Sequence, residues 1–306
     1  MKLQSSPLYH HTPYDGSRQP FTVGLEPISE DSWLEVDTNL EYQLERKAQL
    51  LASDIDAVFR AEVDTVAAQQ EAYELVVEHL RRLGNEDYDV SSSPPVPRVI
   101  GVKHDEREAP LVRAARLVQE DLVLMRPSKD GYRLVAACLC FPSSWSLAEK
   151  FGKSMFAIHE TVPNFNHGKM GRIVDRLFQN LKVGQLVGRY NWSIYDDAEL
   201  FHPHPKRISL RPSELSIEAL ARLFIRVERQ TLRRLPESGY VLFTIKIHHD
   251  PLATLRQHSR AAELASGLKQ QLLALTPDQR TYKGLDEFQH LIVAALEDVV
   301  NCSKSA

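Results

Sequence analysis

The 306-residue chain has only three cysteines, Cys138, Cys140 and Cys302, which are too few for a disulfide framework. We therefore expect a reducing, cytoplasmic setting. No apolar run is long enough to cross a bilayer, and the N-terminal segment lacks the apolar core of a signal peptide. The sequence thus argues against a disulfide-stapled secreted domain and predicts no membrane partner.

Positive charge is not in excess either, since 41 Asp and Glu residues outnumber 37 Lys and Arg residues. A nucleic-acid partner held through its phosphates needs a basic surplus, so we expect none. The dinucleotide fingerprint GxGxxG and the hydrolase motif GxSxG are both absent. A bound nicotinamide cofactor and serine-hydrolase chemistry therefore lack support in this chain.

What is present is a mixture of helical and strand patterns. Proline and glycine punctuate residues 1–32, which predicts an extended arm, and apolar residues at spacings of three and four predict two helices between 40 and 83. A Ser- and Pro-rich loop follows at 84–98. The later elements are a short helix near 110–118, a hairpin over 121–141, a helix over 166–182, strands over 185–195, 224–235 and 240–248, and helices over 252–275 and 285–300.

This order predicts an α+β fold, because short connections between the later strands favour antiparallel neighbours. A PAS-type sheet has the order of two strands, a helical insert and three further strands. We therefore expect five antiparallel strands with helical N- and C-terminal additions. We expect one domain over 1–306. Its parts are an N-terminal arm with helices (1–98), a PAS-like core (110–250) and C-terminal helices (251–306).

The stretch Phe141–Pro163 contains the most informative histidine. A short helix begins after Ser146, and Glu149 completes a Ser-x-x-Glu capping box. His159 then follows the apolar run Met155–Ile158. A ring nitrogen among apolar side chains costs free energy unless a partner binds its lone pair. From the residues alone, a hydrogen-bonded core histidine is the ordinary interpretation and a metal ligand is the alternative.

The strand-like segment Arg226–Pro236 carries more charge than the centre of an ordinary sheet holds. In a strand Arg226, Glu228 and Gln230 share one face and Arg229 lies on the other. An edge strand protected by charge and a strand facing a polar pocket explain this composition equally well. Three further groups of cysteines and histidines are weaker candidates for a metal site. Cys138-x-Cys140 is expected in the core, and His202-x-His204 and His248-His249-Asp250 are expected on solvated loops.

Eight stretches spread along the chain resemble the alpha subunit of haem-dependent oxidative N-demethylases. They are PYDG (Pro13–Gly16), LEPISEDSWLEVD (Leu25–Asp37), LVQEDLVLM (Leu117–Met125), CFPSSWSLAEKFG (Cys140–Gly152), AIHETVP (Ala157–Pro163), NWSIYDD (Asn191–Asp197), RVERQTLRRLP (Arg226–Pro236) and YKGL (Tyr282–Leu285). They span nearly the whole chain in order, which makes chance similarity improbable.

The resemblance implies a PAS fold that binds haem b and oxidises dimethylamine to methylamine and formaldehyde. Haem iron needs an axial base, and we expect His159 to supply it, with His167 as the alternative. Trp145 and Phe156 are expected to line the porphyrin. Arg233 is expected to contact a propionate, because the planar guanidinium matches a carboxylate.

For the substrate, the resemblance leads us to expect Glu228 to bind the cationic amine, with Trp192 and Tyr190 around its methyl groups. Arg226 or Arg229 is expected near dioxygen. Because the chain lacks a flavin fingerprint and a cysteine set for an iron–sulfur cluster, electrons must come from elsewhere. In the family they pass from NADPH through FMN and a 2Fe–2S centre on reductase or ferredoxin-type partner subunits of an oligomeric complex. The alternative is a non-enzymatic haem-PAS gas sensor or haem-binding protein.

Overall fold

The computed structural model describes residues 8–101, 105–129, 131–166, 168–206, 208 and 222–304. Its strands are β1 (Glu26–Pro27), β2 (Phe59–Ala61), β3 (Tyr88–Asp89), β4 (Val96–Pro97), β5 (Asp121–Ser128), β6 (Gly131–Cys138), β7 (Leu186–Tyr195), β8 (Phe224–Arg234) and β9 (Val241–Pro251). Its α-helices are α1 (Leu40–Ser53), α2 (Ile55–Val58), α3 (Val66–Leu83), α4 (Pro110–Ala115), α5 (Leu147–Lys150), α6 (Met155–Ile158), α7 (Lys169–Asn180), α8 (Ala261–Leu273), α9 (Pro277–Tyr282) and α10 (Gln289–Lys304).

Within the described residues, one antiparallel sheet of seven strands has the order β1-β7-β8-β9-β5-β6-β2. The predicted α+β class is confirmed, but the sheet has seven strands rather than the five expected. The two additional strands are short and lie at its edges, where β1 pairs with β7 and β2 pairs with β6. The sequence pattern did not predict β2, because apolar residues keep a helical spacing through Phe59. In the fold the chain becomes extended at that residue, one turn after Asp54 caps α2.

Alternation along the central strands gives the sheet two chemically distinct faces. The front face carries Arg189 and Asn191 of β7 and Arg226, Glu228 and Gln230 of β8, whereas the back face carries Tyr190, Trp192, Val227 and Arg229. The predicted division of the β8 side chains between the faces is confirmed. The segment between β6 and β7, which contains α5 to α7, covers the front face. The N-terminal arm and the C-terminal helices cover the back face.

The back face buries much of its apolar surface against the C-terminal helices. Trp192, Val227 and neighbouring strand residues share one core cluster with α8 and α10. A larger cluster joins β5, β6 and the end of β8 to α1, α3, α4 and the insert, and it contains Cys138 and Cys140, both buried as expected. In the described part of the chain, no helix combines the length and apolar character that crossing a membrane requires.

The C-terminal part differs from the expectation in three places. The predicted helix over 252–275 divides into a 3₁₀ segment, Leu252–Gln257, and α8. The unexpected helix α9 begins with a capping box in which Thr276 and Gln279 bond to each other's backbone. Finally, β9 extends to Pro251, so the expectation of solvated loop histidines is wrong for His248. That side chain lies in the sheet and is buried.

Candidate functional site

His159 lies at the end of α6, in the segment that covers the front face. The helix begins at Ser154, whose hydroxyl accepts a hydrogen bond from the amide of Ala157, and it ends after one turn at His159. The imidazole Nδ1 lies 2.8 Å from the carbonyl oxygen of Met155. Local backbone geometry therefore fixes the direction of the ring.

This contact also fixes which ring nitrogen carries the proton. A carbonyl oxygen only accepts hydrogen bonds, so Nδ1 must donate and Nε2 keeps its lone pair. Burial and, to a smaller extent, the positive charges of Arg189 and Lys150 lower the pKa of His159 to about 4, so the ring is neutral near pH 7. Nε2 has no hydrogen-bond partner among the described residues. The histidine thus presents a free nitrogen base, which is the form that binds iron.

Aromatic side chains surround this histidine. Its ring stacks on Phe165, with centroids 4.2 Å apart and an interplanar angle of 12°. Phe156 packs beneath α7, because a Cβ at Gly171 would lie 3.1 Å from the Phe156 ring. Trp145 and Phe156, both in the insert, are partly buried against the main core, and their expected contact with a porphyrin stays a prediction. His167, the alternative ligand, lies outside the described residues.

Glu228 provides the negative charge of the front face. Its Oε2 accepts a 2.7 Å hydrogen bond from Gln230 Nε2 and a long one, 3.5 Å, from Asn191 Nδ2. Amide groups are neutral donors, and no described Lys or Arg side chain forms an ion pair with this carboxylate. The positive charges of Arg189 and Lys283 act on this carboxylate from a distance, but a half-buried carboxylate that lacks a direct ion pair is suited to receive a cationic ligand.

Arg189 and Tyr282 complete this group of side chains. Arg189 lies close enough to His159, Glu228 and Tyr282 to interact electrostatically with each of them. Its buried Nε has no hydrogen-bond partner among the described residues. Burial raises the pKa of the Tyr282 phenol to about 12, and the charge of Glu228 adds to this effect, so the phenol stays protonated and can donate.

Tyr282 reaches the front face because the end of α9 passes the edge of β7. The neighbouring Lys283 donates a 2.5 Å hydrogen bond to the carbonyl oxygen of Trp192 on that edge, and its ammonium lies 4.4 Å from the Trp192 ring centroid. Burial lowers the pKa of Lys283 to about 8, although Glu228 opposes this shift. The C-terminal region thereby contributes directly to the surroundings of Glu228.

Two grooves open beside these residues. One, of about 410 Å³, lies between the loop that follows His159 and α9, and its wall includes Phe165 and Tyr282. The other, of about 840 Å³, runs between α7 and the start of β7. Its lining combines apolar side chains with three cations and is formed by Lys169, Arg172, Ile173, Arg176, Leu177, Asn180, Leu181, Gln185 and Val187.

Arg226 lies on the front face, but its hydrogen bonds go to backbone and loop oxygens. It is fully buried and donates to Ser143 Oγ and to the carbonyl oxygens of Phe141 and Leu200 at 2.9 to 3.0 Å, with longer bonds to Glu199 and Pro142. It therefore joins the beginning of the insert to the loop after β7. The structure does not place a freely available Arg226 guanidinium beside Glu228.

Four other predicted residues lie on the back face, which separates them from Glu228. Arg229 bonds Glu35 through Nε at 2.8 Å, and Arg233 bonds Glu30 at 2.8 Å. The Tyr190 ring lies 4.6 Å from that of His11, and Trp192 belongs to the core beneath the C-terminal helices. The structure therefore does not bring Arg229, Arg233, Tyr190 or Trp192 together with His159 and Glu228.

Sequence reasoning missed Arg189 and Tyr282, although a signal existed for both. Arg189 lies in the polar stripe of Gly188–Ile194, and Tyr282 begins the YKGL stretch. Asn191 pairs with Glu228 across the strands, so both side chains lie on the same face of the sheet. Because side chains alternate along β7, Arg189 lies on the face of Glu228 and Tyr190 on the other.

A sequence comparison identifies the family of the chain. The model of a family described as haem-dependent oxidative N-demethylase, alpha subunit-like, matches residues 24–293, which contain His159, Arg189, Glu228 and Tyr282. The match covers most of the chain. The chain therefore belongs to the haem-dependent oxidative N-demethylase alpha subunit-like family.

Proposed function

We propose that this chain is the haem-binding, amine-oxidising subunit of an oxidative N-demethylase acting on a small secondary amine such as dimethylamine. The overall reaction consumes dimethylamine, dioxygen, two electrons and two protons, and it yields methylamine, formaldehyde and water. The observation that carries this proposal is the Glu228 carboxylate without a direct ion pair, on the same sheet face as Arg189, whose charge acts both on Glu228 and on the neutral His159.

The residues around His159 fit a haem b group. The lone pair of Nε2 would bind the haem iron, and the hydrogen bond to Met155 holds the ring in the required tautomer. Phe156 and Trp145 supply apolar surface on the same segment. In the α7 groove, Lys169, Arg172 and Arg176 offer positive partners for propionates, a role for which Arg233 on the back face is badly placed. When bound, haem would supply the redox chemistry with dioxygen.

Glu228 is proposed to bind and orient the amine. Alkylamines resemble the Lys side chain, whose reference pKa is about 10.4, so the substrate arrives protonated at neutral pH. An ion pair with Glu228 would compensate for the lost hydration of both charges. The same carboxylate can accept the proton that the ammonium group must release before the nitrogen is oxidised.

Arg189 and Tyr282 are proposed to take the roles first assigned to Arg226 and Arg229. The unpartnered Nε of Arg189 is a donor available to dioxygen, and the guanidinium keeps its charge at any relevant pH. Tyr282 can donate to Glu228 and fix the carboxylate, since its phenol stays protonated.

The alpha subunit-like description of the family implies a multi-subunit complex. We propose that partner subunits of the reductase or ferredoxin type deliver electrons from NADPH through FMN and a 2Fe–2S centre. We also propose a PAS-type core. The five longer strands β5 to β9, with the helical insert between the second and third of them, support that plan.

Two variants test these assignments on haem-reconstituted protein. His159→Ala should lose the haem absorption bands of the wild type, whereas Glu228→Gln should retain them. Replacing a charged partner costs about 1.5–3 kcal/mol, so Glu228→Gln should weaken amine binding roughly 10- to 150-fold in a spectral titration and reduce formaldehyde release. Arg233→Gln on the back face is the matched control and should bind the amine as the wild type does.

The outcomes separate the parts of the proposal. An unchanged haem spectrum in His159→Ala would move the iron ligand to another residue. An unchanged amine affinity in Glu228→Gln would reject the substrate site. Wild-type protein that binds dioxygen but releases no formaldehyde when supplied with dimethylamine and electrons would favour a sensor instead.

A further inference from the structure

The back face of the sheet contains a cluster of histidines that the proposed chemistry does not use. The N-terminal arm places His10 and His11 beside Glu35, and one ligand atom from each of these three residues lies within 4.8 Å of the other two. His11 Nε2 is 3.0 Å from both carboxylate oxygens of Glu35. This grouping lies behind the sheet, on the opposite side from Glu228.

A third histidine reaches the same carboxylate from β9. His248 Nε2 lies 3.1 Å from Glu35 Oε2, and the ring centroids of His11 and His248 are 4.8 Å apart. His10 stacks edge-on against His11, with its centroid 4.3 Å away and 6.2 Å from that of His248. His10, His11 and Glu35 therefore form one close group, and His248 contacts its carboxylate from a separate segment.

These separations resemble those of a tetrahedral metal site. With bonds of 2.0–2.1 Å, two ligand atoms on a tetrahedral zinc ion lie about 3.3 Å apart. The His11–Glu35 and His248–Glu35 distances are slightly shorter than this, so an ion needs only a small outward movement of the rings. His10 is exposed and sits on the arm, so it can rotate inward.

The neighbouring groups orient these ligands and balance the local charge. Arg229 holds Oε1 of Glu35 at 2.8 Å, which leaves Oε2 directed towards His11 and His248. Lys246 pairs with Asp37 at 3.0 Å, so each nearby cation has its own carboxylate.

We propose that His10, His11, His248 and Glu35 form a divalent transition-metal site of the zinc type that fastens the N-terminal arm to the back face. Imidazole nitrogens with one carboxylate are a common zinc donor set. Four protein ligands leave no open position, so the site is structural rather than catalytic. Hydrogen bonds already hold the arm at Glu35, and the metal would replace those that join His11 and His248 to it.

The test uses the full-length, haem-loaded chain without a polyhistidine tag. After treatment with a chelator, zinc chloride is titrated by calorimetry, and the zinc content is measured separately from the haem iron. We expect one zinc ion per chain. His10→Ala should weaken zinc binding at least tenfold while leaving the fold intact, because His10 is exposed. His248→Gln should weaken it further, and His204→Ala, on an exposed loop, is the matched control.

Protease sensitivity of the arm provides a second measurement. Zinc should slow cleavage within residues 8–24 of the wild type and should have no such effect on His10→Ala. The proposal is overturned if the chain binds no zinc, if His10→Ala and His204→Ala bind it equally well, or if zinc leaves cleavage of the arm unchanged.

Discussion

Replacing Arg226 with methionine distinguishes an architectural role for this arginine from a chemical one. The side chain is fully buried, and its strongest bonds join Phe141 and Leu200, which lie on the two segments that border the front face. Methionine fills much of the volume but donates no hydrogen bond. Two carbonyl oxygens and the hydroxyl of Ser143 would then lose their donor in a site that Arg226 now keeps free of water.

The size of the effect follows from those three acceptors. Each buried polar group left without a partner costs about 1–3 kcal/mol, so the three together give a loss of about 3–9 kcal/mol in the free energy of unfolding. The fully buried Asp121 also interacts electrostatically with Arg226, which places the loss towards the upper end. Since a domain of this kind is stable by roughly 5–15 kcal/mol, the variant should be close to unfolding at moderate urea concentrations.

Urea denaturation of haem-free protein, followed by far-ultraviolet circular dichroism, measures this loss without a contribution from cofactor binding. The control is Arg233→Met on the same strand, which removes one partly exposed ion pair with Glu30 and should cost about 1 kcal/mol. If Arg226→Met kept wild-type stability and lost only amine turnover, Arg226 would act in the reaction and the architectural interpretation would be refuted.

Two further predictions concern the arm and the histidine. Gly267→Ala places a Cβ against the backbone of Asp15 in the arm. It should therefore destabilise the protein by about 1–3 kcal/mol and make the arm more sensitive to proteolysis. Ser266→Ala in the same helix is the control and should have neither effect. The pKa of His159 is lowered to about 4 in the folded protein, mainly by burial, whereas it is about 6.5 in the unfolded chain. Between about pH 6.5 and pH 4, the unfolded chain therefore carries one more proton than the folded protein. Stability of the haem-free protein should therefore fall over that range, and His159→Phe should reduce the slope by roughly one proton. An identical slope in the variant would contradict the burial of this imidazole.

The longer elements of the fold follow from local patterns. Spacings of three and four located α3, and a left-handed Gly84 ends it as expected. Period-two alternation placed Arg226 and Glu228 on one face of β8 and Arg229 on the other, as the structure shows. Elements of two or three residues, such as β1 and β2, have too short a pattern to be recognised. They form because an edge strand offers unpaired backbone groups to a passing segment.

The side-chain partners were harder to predict because they are set by residues distant in sequence. The sequence suggested that Arg229 is available for a ligand. In the fold, its guanidinium is already paired with Glu35 and with the backbone carbonyl of Trp33, which belong to the N-terminal part of the chain. Tyr282 reaches Glu228 only because α9 passes the edge of β7. Local sequence determines the face on which a side chain lies, whereas the long-range packing of the arm and the C-terminal helices determines whether it remains free.

The charged side chains of β8 have different partners on the two faces of the sheet. On the back face, the charges of β8 are neutralised by carboxylates of the arm, as in Arg229 with Glu35 and Arg233 with Glu30. On the front face, Glu228 receives only amide donors among the described residues. Incomplete pairing of buried charge is unfavourable for stability, and such groups concentrate where a ligand completes the pairing. The difference in pairing between Glu228 and the two arginines therefore supports the proposed site on the front of the sheet.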